Sequence, residues 1–230
     1  MVTIRTRNAE SQSVQDFLKA VYTLQQQMER VSTNALAEVL AISAPSVTDM
    51  AHRLMLAELV NYEKYRGVRL TETGEREALR VIRRHRLIEL YLVTDLGYAL
   101  HEVHEEAEQL EHAVSDRFVA ALVEKLNHPI LDPHGEVIPG IDGTCHYREL
   151  HTLTQFPIGI KAKVACLNSN NPEILQHLMD KGFTLGSQVE IIIRDPFEGP
   201  LTVLIDGKTA MVGYTVATYI SVEQDKGADK

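Results

Sequence analysis

Hydrophobic positions along the first seventy residues recur with helical spacing and then switch to a short alternating run. Val14, Phe17, Leu18, Val21, Tyr22, Leu24 and Met28 predict a helix over about Ser13–Met28. Ser32 or Thr33 caps a short second helix, Asn34–Leu40, and Ala41–Ala44 forms a turn. Pro45 suits the first turn of a third helix that runs to about Glu58 with Val47, Ala51 and Leu54 inward. From Val60 to Leu70, aromatic and β-branched residues flank the charged turn at Lys64–Gly67, which predicts a hairpin. Helix, helix, turn, helix and hairpin make a winged helix-turn-helix.

Thr71 or Thr73 begins a fourth helix, about Glu75–Thr94, and a fifth is predicted over about Leu100–Leu126. Leu87, Leu90, Tyr91, Leu110, Val114, Phe118 and Leu122 are more apolar surface than an isolated helix pair buries, so these helices are expected to form a dimer interface as well. Residues 127–144, rich in Pro, Gly and Asp, read as a linker. Beyond Leu153 come short β-type runs at Ala162–Leu167, Gln188–Arg194, Leu201–Ile205, Lys208–Val212 and Ala217–Val222, interrupted by a helix at Pro172–Asp180. Five short strands in so small a span predict a β-barrel of SH3 type. The expected fold class is α+β multidomain: a winged helix-turn-helix over 1–74, a helical metal-binding and dimerisation domain over 75–144, and an SH3-like domain over 153–226.

Charge sharpens this division. Residues 1–70 carry 8 Lys/Arg against 7 Asp/Glu, whereas residues 71–150 carry 8 against 16. Eight of the ten histidines fall between His85 and His151, seven of them inside that acidic stretch, where bound cations would offset the repulsion. No run of about 18 apolar residues predicts a membrane span. The polar first ten residues do not resemble a secretory leader, and Cys145 and Cys166 form neither a disulfide framework nor a CxxC motif. A cytoplasmic protein is expected.

Two sets of residues carry chemistry. In a helix-turn-helix the N-terminal end of the second helix meets bases and phosphates. That end is Ser43, Pro45, Ser46 and Thr48, with Arg53 further along, Lys64 and Arg66 at the wing tip, and Ser32 and Thr33 as further phosphate contacts. The plain alternative is that the hydroxyls only cap helices. The second set is His101, His104, Glu108, Glu111 and His112, read as one face of the fifth helix, with His85 and Glu89 four apart on the fourth. Mixed imidazole and carboxylate donors suit a divalent cation. Glu102, Glu105, Glu106, His101 and His128 read as solvated surface, and Cys145–His146 is a pair with no clear counterpart. No nucleophile–base constellation stands out, so no enzyme is expected. A di-iron bundle needs paired Glu-x-x-His motifs, yet the residue three before His112 is Gln109, and no HExxH occurs. A winged-helix regulator sensing some other ligand is the remaining alternative.

The ordered series Ser46-Val47-Thr48, Tyr62–Gly67 with Leu70-Thr71, Arg84–Leu87 with Glu89, Val103–Ala107 with Glu111-His112, and Asp132–Gly135 resembles the diphtheria-toxin-repressor and manganese-transport-regulator family over nearly the whole chain. The resemblance implies homodimers that bind operator DNA when loaded with Fe(II) or Mn(II), usually to repress metal-uptake genes. It implies a principal site of Asp16, Glu108, Glu111 and His112, with His85 at the principal or an ancillary site. His104 and Glu89 match ancillary positions of the iron type, and Asp132 and His134 a second-site pair of the manganese type. Iron-type members carry Met and Cys where this chain has Asp16 and Glu108; the oxygen donors favour Mn(II), with Fe(II) as the second candidate. Lys19 departs from the Glu that short manganese-type members carry there. Barrel ligands of the iron type would fall near Asn171 and Ile174, with Glu173 adjacent. A cation joining Asp16 to the later ligands would fix the angle between DNA reader and dimerisation domain.

Overall fold

The computed structural model describes residues 2–225 other than Tyr147, with side chains from position 12 onward. Two compact units form: the chain up to His85 with Glu111–Val114 and Pro139–Cys145, and a second from Arg86–Leu110, Ser115–Ile138 and the chain from His146.

In the first unit, helix α1 (Val2–Gln25) buries Phe17, Leu18, Ala20 and Val21 along one stripe. It stops at Gln25, so Met28, expected on this helix, lies beyond it in a turn closed by Gln26 and Gln27 N–H groups. Helix α2 (Thr33–Val39) begins where the Ser32 side chain accepts from the Ala35 N–H. Ala41 then takes a positive φ of 51°, and α3 (Ala44–Leu56) starts with Ser43 accepting from the Ser46 N–H and Pro45 in its first turn. Val47, Ala51 and Leu54 face the same core. Strands β1 (Val60–Glu63) and β2 (Gly67–Leu70) pair antiparallel from Val60↔Leu70 to Glu63↔Gly67, and Val31 bridges Val68 beside them. Gly67 is required at that junction. Its φ is +97°, and a Cβ there would lie 2.3 Å from the Val31 carbonyl oxygen.

Helix α4 (Glu72–Leu96) starts three residues earlier than expected. Thr71, not Thr73, caps it: its hydroxyl accepts from the Gly74 N–H and donates to the Glu58 carbonyl. The expected single helix over 100–126 is two, α5 (Val103–Leu110) and α6 (Asp116–Lys125). Ser115 accepts from the Phe118 N–H and starts α6 afresh, and a capping residue inside an apolar period ends one helix as readily as it begins another. The five residues thought to share one helical face are therefore divided. Only His104 and Glu108 lie on α5; His101 lies in the turn before it, and Glu111 and His112 in the turn after it.

The second unit packs Leu87, Ile88, Leu92, Val103, Ala107, Val119 and Leu122 out of solvent. The expected linker is ordered where it belongs to this unit: Leu131 bridges Val137, the Leu167 N–H donates to the His134 carbonyl, and Gly135 (φ +87°) leaves no room for a Cβ against Ala165. The barrel sheet comprises β3 (His151–Thr152), β4 (Lys161–Leu167), β5 (Gln188–Arg194), β6 (Leu201–Ile205), β7 (Lys208–Val212) and β8 (Ile220–Gln224), in the order β3-β8-β4-β5-β6-β7. Helix α7 (Pro172–Asp180) lies between β4 and β5, with Leu175 and Leu178 in the core. The expected strand Ala217–Val222 is a short helix α8 (Tyr214–Ala217) followed by β8, and the two-residue β3 was too short to show alternation. No described helix is long and apolar enough to cross a membrane.

Candidate metal centre

The principal cluster assembles around Glu111, whose side chain is fully buried. Helix α1 brings Gln15, Asp16 and Lys19 to it, and α4 brings His85. The ligand atoms of Asp16, Glu111 and His112 lie within 4.8 Å of one another. His112 Nδ1 sits 2.6 Å from the Gln15 side-chain carbonyl oxygen, an acceptor that suits an Nδ1–H donor and leaves Nε2 as the ring's ligand atom. That buried Nε2 has no hydrogen-bond partner, although Asp16 Oδ1 is 2.8 Å away and Glu111 Oε1 3.3 Å. A buried imidazole nitrogen without a hydrogen-bond partner, beside two carboxylate oxygens, is a donor set that fits a divalent metal ion. The other Glu111 oxygen, Oε2, lies 2.5 Å from His85 Nδ1. Lys19 Nζ donates to both Glu111 oxygens at 3.0 Å and stands 3.2 Å from His85 Nδ1.

A second cluster lies in the other unit. His104 Nδ1 is 3.5 Å and His134 Nε2 3.7 Å from the same oxygen of buried Glu89, and His104 Nε2 is 3.7 Å from Glu108. Asp132 is turned elsewhere. Its Oδ1 accepts from the His134 and Glu136 N–H groups, closing the loop, and its Oδ2 faces Arg86 Nε at 3.5 Å. Burial first, and then the Glu136 charge, push its carboxyl up to about 8, more than Arg86 lowers it. Arg86 loses solvation too, but Glu136 and Asp132 hold its guanidinium above its ordinary value. Cys145 is exposed. Cys166 is buried, and burial pushes its thiol well up.

The residues expected to contact DNA sit at the starts of α2 and α3, along α3 and in the β1–β2 turn. Ser32, Ser43, Pro45, Ser46, Arg53, Lys64 and Arg66 are exposed, and Thr33 and Thr48 half-buried. Ser32 and Ser43 do cap helices, the Ser43 and Ser46 hydroxyls are 2.8 Å apart, and Thr48 donates to the Ala44 carbonyl. Capping and outward display are compatible, because a cap uses one acceptor position of the hydroxyl. Arg66 pairs with Glu63 at 2.9 Å. Sequence reasoning missed Gln15, whose side chain meets His112 Nδ1, and treated Lys19 only as a departure from a pattern; their i, i+1, i+4 spacing with Asp16 on α1 was the available signal.

A winged helix-turn-helix followed by a buried carboxylate–imidazole centre defines a metal-dependent DNA-binding regulator. The chain belongs to the iron-dependent-repressor family typified by the diphtheria toxin repressor. The model of the iron dependent repressor N-terminal DNA binding domain matches residues 11–68, that of the metal binding and dimerisation domain residues 71–140, and the FeoA domain residues 151–224. The diphtheria toxin repressor of Corynebacterium diphtheriae is 30% identical over 227 residues, covering 90% of this chain and 95% of that one. An uncharacterized HTH-type transcriptional regulator of Methanocaldococcus jannaschii is 40% identical over 113 residues, 49% of this chain and 90% of its own. Among solved structures, a manganese-dependent transcriptional repressor in complex with manganese superposes with a TM-score of 0.86 at 39% identity, covering 92% of this chain and 99% of that one.

Proposed function

We propose that this protein is a cytoplasmic homodimer that binds operator DNA when Mn(II), or Fe(II) as second candidate, is held by Asp16, Glu108, Glu111 and His112, and that it represses metal-uptake genes in that state. The observation that carries this is His112 Nε2, buried without a hydrogen-bond partner 2.8 Å from Asp16 Oδ1 and 3.3 Å from Glu111 Oε1. The all-oxygen partners of that imidazole favour Mn(II) relative to softer sites, and the likeness to a manganese-dependent repressor supports the same choice. We further assign Glu89, His104 and His134 to a second ion, with His85 able to serve either cluster. In this reading Asp132 holds the loop that presents His134.

When bound, the metal supplies two positive charges between carboxylates that otherwise repel. Asp16 is followed on α1 by Phe17 and Leu18, which are buried in the core of the DNA reader. Holding Asp16 against Glu111 and His112 therefore holds the whole helix-turn-helix, and the metal-bound arrangement gains population because it binds the ion better. Linkage requires operator DNA to tighten metal binding by the same factor. Ser43, Pro45, Ser46, Thr48 and Arg53 read the major groove, and Ser32, Thr33, Lys64 and Arg66 hold phosphates.

The test is fluorescence anisotropy of a labelled manganese-uptake promoter fragment in EDTA, Mn(II) or anaerobic Fe(II). Tight binding is expected only with metal, and Asp16→Ala should fold normally but lose that dependence. Equal affinity in EDTA and Mn(II), or an Asp16→Ala protein that still responds to Mn(II), would overturn the proposal.

A further inference from the structure

Position 65 is where the wing turns over. Strands β1 and β2 are paired up to Glu63↔Gly67, the Arg66 N–H donates to the Glu63 carbonyl, and Tyr65 takes a φ of 67°. Glycine and asparagine adopt that left-handed conformation readily, whereas a bulky side chain adopts it at a cost. Burial does not offset the cost, because Tyr65 is 92% exposed. The ring lies under the Lys64 ammonium, with Nζ 5.0 Å from its centre, a contact worth little at an exposed site. The aromatic ring therefore adds little to the stability of the free protein, and its use lies with a partner.

Charge identifies that partner. Lys64 and Arg66 stand on either side of Tyr65, and Glu63 is shared between Arg66 and Arg30. Phe197 and Ile141 are as exposed as Tyr65, but they stand beside Glu198 and Asp142. Of the three, Tyr65 is the one flanked by cations. A surface that offers phosphates to those cations and sugar and base edges to the phenol is duplex DNA. The geometry points to Tyr65 entering the minor groove beside each half-site and favouring A·T pairs there. This deepens the reading of the wing as a DNA contact and rests on it. With α3 in a major groove, Lys64 and Arg66 meet the phosphates that bound it, and the residue between them reaches past that strand into the adjacent groove, which is minor. At A·T pairs the floor of that groove carries acceptors only, N3 of adenine and O2 of thymine, to which the phenol donates. At G·C pairs the guanine amino group projects from the floor and keeps the ring out. Tyr65 is thus a specificity-determining residue for base pairs that α3 does not read.

The experiment measures anisotropy of the full-length, Mn(II)-loaded protein on three labelled manganese-uptake promoter fragments. They differ only in the pairs flanking each half-site, which are A·T, inosine·C or G·C. Inosine·C keeps the major-groove face of G·C and lacks the minor-groove amino group. The wild type should bind the A·T and inosine·C fragments alike and the G·C fragment several-fold more weakly. Tyr65→Asn suits the left-handed turn, so it should melt no lower than the wild type. It should bind the A·T fragment about tenfold more weakly, as loss of one aromatic anchor does, and no longer distinguish the three. A wild type that treats inosine·C like G·C overturns the proposal, and so does a Tyr65→Asn protein that keeps either its affinity or its preference. A Tyr65→Asn protein that melts well below the wild type also overturns it, because the ring would then serve the fold. A wild type that binds none of the fragments with Mn(II) overturns the DNA-binding reading itself, so the two failures are distinct.

Discussion

Glu111 and Asp132 are both buried acids, and their neighbours give them opposite duties. Glu111 has the Lys19 ammonium 3.0 Å from both of its oxygens. Asp132 has burial and the Glu136 charge pushing its carboxyl up to about 8. The unfolded chain loses that proton near pH 4. Between about 4 and 8 the folded state therefore binds more protons than the unfolded state, and stability falls as pH rises through this window, with the loss complete above 8. Asp132→Asn keeps the Oδ1 acceptor for the His134 and Glu136 N–H groups and removes the titration. Thermal melts of the metal-free protein should show the variant close to wild type at pH 5 and more stable than it at pH 9. A difference that does not grow with pH would contradict this account.

At the scale of elements, short capping signals decided more than long apolar periods. Ser43 and Pro45 start α3, and Ser115 splits a run of apolar residues that looked continuous into α5 and α6. That split frees the turn carrying Glu111 and His112, whose side chains then meet α1 and not solvent. The wing depends on one glycine in the same way. Gly67→Ala places a methyl 2.3 Å from the Val31 oxygen at a φ of +97°, which costs about 1–3 kcal/mol of strain if the hairpin holds. The expected result is a lower melting temperature together with weaker operator binding at saturating metal, because Lys64 and Arg66 ride on this hairpin. Unchanged DNA affinity would show that the wing makes no contact that matters.

Taken as a whole, the molecule leaves apolar side chains on the surface of its second unit: Leu96, Tyr98 and Phe118 are 55%, 38% and 44% exposed. They lie at the end of α4, just after it and on α6, elements whose family model is named for dimerisation. Phe118→Glu should shift the protein toward monomer in sedimentation velocity and reduce operator binding even with metal present, since two recognition helices read successive major grooves only when joined. A dimer that persists in this variant would place the interface elsewhere.

Much of this was legible in the chain order. The strands Gln188–Arg194, Leu201–Ile205 and Lys208–Val212 and the helix Pro172–Asp180 lie where alternation and a Pro start signal put them, because a local pattern of apolar and turn residues suffices for such elements. The helix-turn-helix is equally local: caps, a left-handed turn residue and a helical apolar stripe within some thirty residues. The donor types that would suit a divalent ion were visible as side chains. Only the tertiary structure decided how they are used, because contacts between residues far apart in the chain leave no periodic trace. Gln15 meeting His112 across 97 positions, and Lys19 reaching Glu111 across 92, are such contacts. Which side chains surround Glu111 is set by how α1 lies against the turn after α5, which is a matter of packing and not of pattern.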